Sequence, residues 1–347
     1  GRGFLSKMCL IDPDWQEEVD GPKKFVVKIS SQVALTEANE LMKDKMVITD
    51  EMKNIAEMMS QALEKTVRRL HNNEIFAYDL FRRYNVNAPL AKIYAAIQFS
   101  EENNLKGYII MDYVEGALSL NIYDNVSVED IKKPLRGIAV MEAASAHYTE
   151  EERSKLDKMP FIELVKDMIT PQTIPVTMGM LRKFCGHLMS EKLDQFERIA
   201  NDIVDMDFLK AIGPDLGLKE VFVHGDLWST NLLWTKKEGA EEMDLSAIID
   251  FQTSHMGYPN SDIVRLLGAC LSGKDRQTHW EELCETFYGY LLEELKGDPA
   301  PYTLEQLKES YRCYFPAGAF MLVPMIGPVF QMNDINPDPE VKKTIEE

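Results

Sequence analysis

The sequence lacks the features that mark disulfide-rich, zinc-binding and membrane proteins. Its five cysteines are odd in number and widely spaced, without a C-x-x-C pair or a neighbouring histidine cluster. The one long uncharged run, residues 315–330, is shorter than the ~20 residues that a bilayer core requires, and prolines interrupt it. We therefore expect reduced thiols, a cytoplasmic protein and a buried helix and turn at 315–330.

Positive charge is also scarce. Lys and Arg number 38 against 57 Asp and Glu, which gives a formal net charge of −19. A surface that follows a nucleic-acid backbone needs clustered Lys and Arg, so this balance argues against nucleic-acid binding. No low-complexity tract is present, and 347 residues with 45% hydrophobic content can bury a sizeable core.

Two polar segments that follow apolar runs carry the strongest functional signal. The first runs from His224 through Gly225 and Asp226 to Asn231, and the second begins at Asp250. Because the apolar runs before them predict strands, a rigid backbone aims these side chains at strand ends.

These residue types suit phosphoryl transfer to an alcohol. That reaction needs a carboxylate beside the attacking hydroxyl and oxygen ligands that hold Mg²⁺ against the phosphates. We assign the first role to Asp226 and the second to Asn231 and Asp250. A lone Asp or Asn is usually a turn residue, so the prediction depends on the order and spacing of the set.

The same residues resemble a known family. His-Gly-Asp stands where protein kinases have His-Arg-Asp, and Asp226-Leu-Trp-Ser-Thr-Asn with Phe251-Gln252 is similar to the CHK-kinase-like and ecdysteroid-kinase-like family of nematode type. That family lies within the choline kinase and aminoglycoside phosphotransferase branch of the protein-kinase-like fold. The resemblance implies a two-lobed α+β protein, with a small β-sheet N-lobe at 1–115 and a mostly helical catalytic and substrate-binding C-lobe at 116–347.

The resemblance also implies a nucleotide site in the N-lobe. Gly1, Gly3 and Ser6 resemble the loop that covers the phosphates, where glycines let backbone N–H groups approach them. Because the chain begins with Gly at this loop, we expect the strand that precedes the loop in the family to be missing from this sequence. The sequence shows no charged-then-apolar leader, and it does not predict whether the full-length protein has a targeting segment.

Lys28 lies within the apolar run Phe25–Ile29, which reads as a strand. The family resemblance makes it the lysine that reaches the α- and β-phosphates. Such a lysine needs a carboxylate partner from a helix, which periodicity predicts over residues 52–84. We choose Glu74, with Glu57 and Glu64 as alternatives.

Residues 107–116 read as a buried strand that leads into a polar linker. In the family this is the hinge between the lobes, so the resemblance implies that the adenine pocket is lined by Met111, Asp112, Tyr113 and Val114.

The remaining assignments are structural. We expect His224 to be a buried histidine bonded to the loop backbone, and Asp262 to lie at a helix start and brace that loop. Ser127 is a predicted helix N-cap, and 116–126 is the predicted lobe boundary. Helices are expected at 178–204, 261–272, 276–296 and 303–322.

The sequence thus predicts an ATP- and Mg²⁺-dependent phosphotransferase acting on a small-molecule hydroxyl. Choline-like, sterol, glycoside and aminoglycoside-like acceptors stay open, and the resemblance favours a sterol or glycoside. The alternative is a catalytically silent nucleotide-binding or scaffolding protein. A protein Ser/Thr kinase is disfavoured because Gln252 replaces the glycine of Asp-Phe-Gly and no Ala-Pro-Glu follows. The oligomeric state has no readable signature.

Overall fold

The structure of the chain is a computed structural model. Two predicted features lie outside the described residues. They are Gly1 and Gly3 of the predicted phosphate loop, and residues 323–330 at the end of the apolar run. The side chains of 50–63 and of a few other helical positions are likewise outside the description. The described residues are 6–15, 21–30, 50–103, 106–156, 158, 170, 173–203 and 205–322.

The chain divides into two compact units. The first comprises Gly1–Asn85, Leu90–Gly116 and Asp250–Thr253, and the second comprises Val86–Pro89, Ala117–Ile249 and Ser254–Glu347. The main division falls after Gly116, next to the predicted lobe boundary. Val86–Pro89 belongs to the second unit, and Asp250–Thr253 belongs to the first. A prediction with a single boundary in the sequence cannot include these two segments.

The described residues of the first unit form a four-stranded antiparallel sheet and one long helix. Its strands are β1 (Ser6–Ile11), β2 (Phe25–Ser30), β3 (Ile93–Ile97) and β4 (Tyr108–Asp112), arranged in the order β1-β2-β4-β3. β2 and β4 are central, and their β-branched residues suit a sheet interior. Ser6, which was predicted to belong to the phosphate loop, is the first residue of β1 and pairs with Ser30.

Helix α1 spans Asp50–Arg83, which confirms the helix predicted over 52–84. Among its described side chains, Val67, Leu70, Ala77 and Phe81 are buried at helical spacing and form an apolar stripe. Glu74 falls within this stripe and is only 1% exposed. A carboxylate in such a position needs a cationic partner.

The second unit is mostly helical. Its helices are α2 (Val128–Ser145), α3 (Glu150–Lys155), α4 (Ile174–Ile203), α5 (Met206–Leu216), α6 (Asn260–Cys270), α7 (Gly273–Leu295) and α8 (Leu304–Phe320). Its strands are β5 (Leu118–Ser119), β6 (Val221–Val223), β7 (Leu232–Thr235), β8 (Asp244–Ile248) and β9 (His255–Gly257). These strands form the sheets β5-β7-β8 and β6-β9.

Helix starts follow the predicted capping chemistry. The Ser127 side chain accepts a hydrogen bond from the Asp130 N–H and caps α2, as predicted. α4, α6, α7 and α8 correspond to the four other predicted helices, with ends displaced by a few residues. The predicted α+β class, with a small N-terminal sheet and a mostly helical second unit, is confirmed. None of the helices in the described part of the chain is long and apolar enough to cross a membrane.

Candidate active site

Lys28 lies between two carboxylates within the first unit. Its Nζ is 2.6 Å from Glu74 Oε2 and 2.6 Å from Asp250 Oδ1. The pairing with Glu74 is the one chosen from the sequence. Of the two alternatives, Glu64 bonds Arg68, and the Glu57 side chain lies outside the description.

This cluster keeps the lysine charged although it is buried. Burial alone lowers the pKa of the Lys28 ammonium, but the charges of Asp250 and Glu74 outweigh that effect and raise its pKa above the ordinary value. Burial also raises the pKa of Glu74, against the opposing charge of Lys28. The result is a fixed cation with two anionic partners.

Asp250 is held by the short 3₁₀ turn Phe251–Thr253. The Phe251 ring is fully buried and packs edge-on against Tyr78 and Phe81 of α1, at centroid distances of 5.2 and 5.0 Å. Asp250 itself has a φ of 69°, a left-handed conformation that non-glycine residues rarely adopt. Strain of this kind persists only where the surroundings enforce it, and it is concentrated at functional sites.

The His224–Asp226 loop follows β6 in the second unit. Gly225 has a φ of 86°, which explains why glycine separates the His from the Asp. The Asp226 N–H donates to His224 Nδ1 at 3.3 Å, so Nε2 carries the ring proton and donates to the Ile249 carbonyl at 3.0 Å. His224 is therefore the buried, backbone-bonded histidine that the sequence predicted.

Asp262, near the start of α6, braces the same loop as predicted. Its two carboxylate oxygens accept the N–H groups of His224 at 2.7 Å and Gly225 at 2.9 Å. Burial raises the pKa of the Asp262 carboxyl, while these two backbone donors act in the opposite direction. The loop backbone is thus fixed by a buried side chain.

Asn231 ends the 3₁₀ turn Ser229–Asn231. Its amide nitrogen donates to the Asp226 carbonyl at 2.8 Å and lies 3.4 Å from Asp226 Oδ2. The donor end of the Asn231 amide is therefore bound to the loop. The backbone N–H of Ile249 bonds the Asn231 carbonyl at 3.0 Å and fixes this turn to the end of β8.

Sequence reasoning missed Arg265. This α6 residue is 8% exposed, and its guanidinium donates to Asp226 Oδ1 at 2.8 Å. Its position in the sequence could have indicated a buried charge, because it is the one charged residue between Ile263 and Cys270 of an otherwise apolar helical stretch. A buried arginine requires an anionic partner.

The predicted adenine-binding residues lie at the end of β4. Met111 is 5% exposed and pairs with Val26 of β2. The Asp112 N–H donates to the Lys92 carbonyl at 2.8 Å, so this backbone donor has a hydrogen-bond partner within the first unit. Tyr113 and Val114 follow the strand directly.

A cavity of about 390 Å³ opens beside the His224–Asp226 loop in the second unit, and Gly225 lines it. Leu156, Met256 and Tyr258 contribute apolar and aromatic surface to its walls. A larger cavity of about 630 Å³ is lined by charged residues of α2, but the His-Gly-Asp loop does not contribute to it. Its charged groups are engaged in ion pairs, for example Arg136 with Glu293. The smaller cavity is therefore the better candidate for a substrate.

Asn231 in the second unit and Asp250 in the first unit each carry an oxygen of a type that Mg²⁺ binds. Within the described residues, no group of three or more His, Cys, Asp or Glu side chains could hold a metal alone. Mg²⁺ commonly takes only one or two protein oxygens and completes its shell with phosphates and water. An amide oxygen from Asn231 and a carboxylate oxygen from Asp250 are ligands of that kind.

Comparisons with known proteins identify a family and two relatives, one named as an oxidoreductase and the other as a kinase-like protein. The family model described as Uncharacterized oxidoreductase dhs-27 (DUF1679) matches residues 1–347. The Caenorhabditis elegans protein of that name is 25% identical over 264 residues, covering 72% of this chain and 30% of the relative. The C. elegans Uncharacterized kinase-like protein D1044.1 is 34% identical over 100 residues, covering 29% of this chain and 25% of the relative. The chain thus spans less than a third of either relative.

Among solved structures, the chain is similar to choline kinase from Cryptosporidium parvum Iowa II. The TM-score is 0.48 at 13% identity, with coverage of 99% of this chain and 85% of the other.

Proposed function

This chain belongs to the DUF1679 family across residues 1–347, and we propose that it is an ATP- and Mg²⁺-dependent kinase that phosphorylates a hydroxyl group of a small molecule. The observation that carries the proposal is Lys28, held at 2.6 Å from both Glu74 and Asp250. A strand lysine paired with a helix glutamate, together with an Asp that precedes Phe, is the arrangement that kinases use to grip a nucleotide.

In the proposed reaction, Asp226 orients the acceptor hydroxyl and takes its proton. The acceptor oxygen forms a bond to the γ-phosphorus, the bond from that phosphorus to the β–γ bridging oxygen breaks, and ADP leaves with the electron pair. The neighbouring donors keep the Asp226 carboxylate in place during this step. Asp226 follows a backbone that Asp262 fixes, which supplies the required rigidity.

Lys28 would contact the phosphates, with Glu74 holding it in position. Asn231 and Asp250 would hold Mg²⁺, whose contribution when bound is to neutralise phosphate charge. Met111, Asp112, Tyr113 and Val114 would line the adenine pocket, and Gly1, Gly3 and Ser6 would cover the phosphates; these assignments remain predictions.

The cavity beside Gly225 is the proposed acceptor site. Its charged lining residues are two acids, Glu150 and Glu220, and two bases, Arg153 and Lys158. This balance supports a neutral acceptor with an apolar skeleton over a strongly charged one, because a fixed charge on the acceptor would require an opposite excess in the walls.

The oxidoreductase name of one relative does not weigh against a kinase. The matched part is 30% of that relative, so its name does not assign a redox activity to the shared segment. The present sequence also contains no G-x-G-x-x-G fingerprint of dinucleotide-binding domains.

The test is a transfer assay. The protein is incubated with Mg²⁺, γ-³²P-labelled ATP and a metabolite extract, and labelled products are identified by mass spectrometry. Asp226→Asn should lower transfer by on the order of 10²–10⁴-fold, the usual contribution of a general base, while calorimetry shows nearly unchanged Mg-ATP affinity.

The matched control is Asp215→Asn, which alters an exposed aspartate of α5 and should leave transfer unchanged. Undiminished transfer in Asp226→Asn would refute the assigned base. Nucleotide binding without any transfer, to the extract or to water, would favour the silent nucleotide-binding protein instead.

A further inference from the structure

Arg265 lies on the same face of α6 as Asp262. The two residues are three positions apart, so their side chains project from neighbouring turns of the helix. Asp262 accepts two backbone N–H groups of the catalytic loop, and Arg265 reaches the side chain of that loop's Asp226. One helix face thus contacts both the backbone and the reactive group of the loop.

The Arg265 guanidinium makes two kinds of contact with the loop. One nitrogen donates to Asp226 Oδ1 at 2.8 Å, between side chains that are 9% and 17% exposed. The central carbon lies 5.2 Å from the ring centroid of Trp228, in a cation–π arrangement. Charge-assisted hydrogen bonds in protected surroundings are strong and directional, so they fix a side-chain rotamer.

We propose that Arg265 is the positioning residue for the catalytic carboxylate. By holding Oδ1 of Asp226, it fixes the rotamer of the carboxylate that takes the proton of the acceptor hydroxyl. Trp228 in turn supports the plane of the guanidinium. This inference rests on the proposed kinase function, because it concerns the geometry of the same proton transfer.

Arginine has properties here that lysine cannot fully replace. A planar guanidinium can donate to a carboxylate and lie over an aromatic ring at once, whereas an ammonium is a compact point charge. Arg265→Lys therefore keeps the charge but loses part of the orientation. Arg265→Met keeps much of the length and loses both the charge and the hydrogen bond.

The first experiment measures release of ³²P-phosphate from Mg²⁺ and γ-³²P-labelled ATP, with water as the acceptor. Loss of one charge-assisted hydrogen bond predicts that kcat falls by about 10–100-fold in Arg265→Met. Arg265→Lys should be intermediate. The KM for ATP, measured below the melting temperature of each variant, should stay close to that of the wild type. A purely structural role would lower the melting temperature and leave the kcat of the folded protein unchanged.

The matched control is Arg136→Met. Arg136 also pairs with carboxylates, Glu293 and Glu294, and lies over an aromatic ring, Tyr290 at 4.9 Å, but it is far more exposed. Its replacement should leave kcat unchanged.

The second experiment is a double-mutant cycle with Asp226→Asn. If Arg265 acts through Asp226, then Arg265→Met should cause almost no further loss of kcat in the Asp226→Asn background. Additive losses would overturn the inference, as would a wild-type kcat in Arg265→Met or a loss that appears only in KM and melting temperature. These results leave the kinase proposal intact. If the wild-type protein transfers no phosphoryl group to any acceptor, the kinase proposal fails and the inference fails with it.

Discussion

At the scale of single residues, the buried ammonium of Lys28 forms ion pairs with two carboxylates, those of Glu74 and Asp250. Glu74 is 1% exposed and Lys28 is 6% exposed, so neither can exchange its partner for water. Asp250, in contrast, retains a side-chain exposure of 28%. The energetic cost of removing each partner should therefore differ, and stability measurements can separate the roles without any knowledge of the substrate.

Lys28→Met should destabilise the protein more than Glu74→Gln. The first change leaves the Glu74 carboxylate buried without its cation, which costs about 3–5 kcal/mol. The second change leaves Lys28 paired with Asp250 and removes one hydrogen-bonded charge, which costs about 1–3 kcal/mol. Chemical denaturation gives the free energy of unfolding of each variant.

The combined variant Lys28→Met with Glu74→Gln provides the internal check. It should be more stable than Lys28→Met alone, because the stranded carboxylate is gone. Lys237→Met, which breaks an exposed pair with Asp244, should change the free energy of unfolding by less than about 0.5 kcal/mol. Equal free energies of unfolding for Lys28→Met and Glu74→Gln would show that burial of the Glu74 carboxylate does not require the charge of Lys28.

At the scale of secondary-structure elements, α1 supports the Asp250 turn as well as the lysine. The Asn73 side-chain amide donates to the Gln252 carbonyl at 3.1 Å, and Tyr78 packs edge-on against Phe251. The Tyr78 hydroxyl is buried without a hydrogen-bond partner among the described residues. The ring therefore contributes through packing, while the hydroxyl contributes only the cost of its burial.

Tyr78→Phe should leave the free energy of unfolding unchanged or raise it by about 1 kcal/mol, because it removes an unsatisfied polar group and keeps the ring. The matched variant is Tyr94→Phe, whose hydroxyl donates to Asp112 at 3.0 Å on the exposed side of the sheet. That variant should lose up to about 1 kcal/mol. A clear loss of stability in Tyr78→Phe would mean that an ordered water or ion satisfies the hydroxyl.

The elements also show why sequence reasoning succeeded in some places and failed in others. α1 was predictable because its apolar residues repeat at helical spacing over many turns, whereas Glu74 was chosen because the stretch around it resembles the helix of the family. Arg265 was not predicted because its partner Asp226 is distant in sequence and an arginine on a helix is usually solvated. Ser6 was expected in a loop, yet it begins β1, since strand pairing with β2 extends to Ser30.

At the scale of the whole molecule, the helical unit buries two of the four cysteines whose side chains the structure describes. Cys270 of α6 is 1% exposed and Cys284 of α7 is fully buried. Cys270 Sγ lies 3.5 Å from Ser229 Oγ, so the thiol adjoins the turn that carries Asn231. The reactivity of these thiols therefore reports on the integrity of the helices and of the adjoining loop.

Burial raises the pKa of both Cys270 and Cys284 to about 12. Because the thiolate is the reactive form and forms mainly above the pKa, alkylation at pH 8 should be very slow at both positions. Iodoacetamide followed by peptide mass spectrometry should label the partly exposed Cys9 and Cys313 first. Labelling of the two buried thiols should require denaturant concentrations that unfold the helical unit. Their rapid labelling in the native protein would contradict the tight packing of α6 that holds Asp262 and Arg265 against the His224–Asp226 loop.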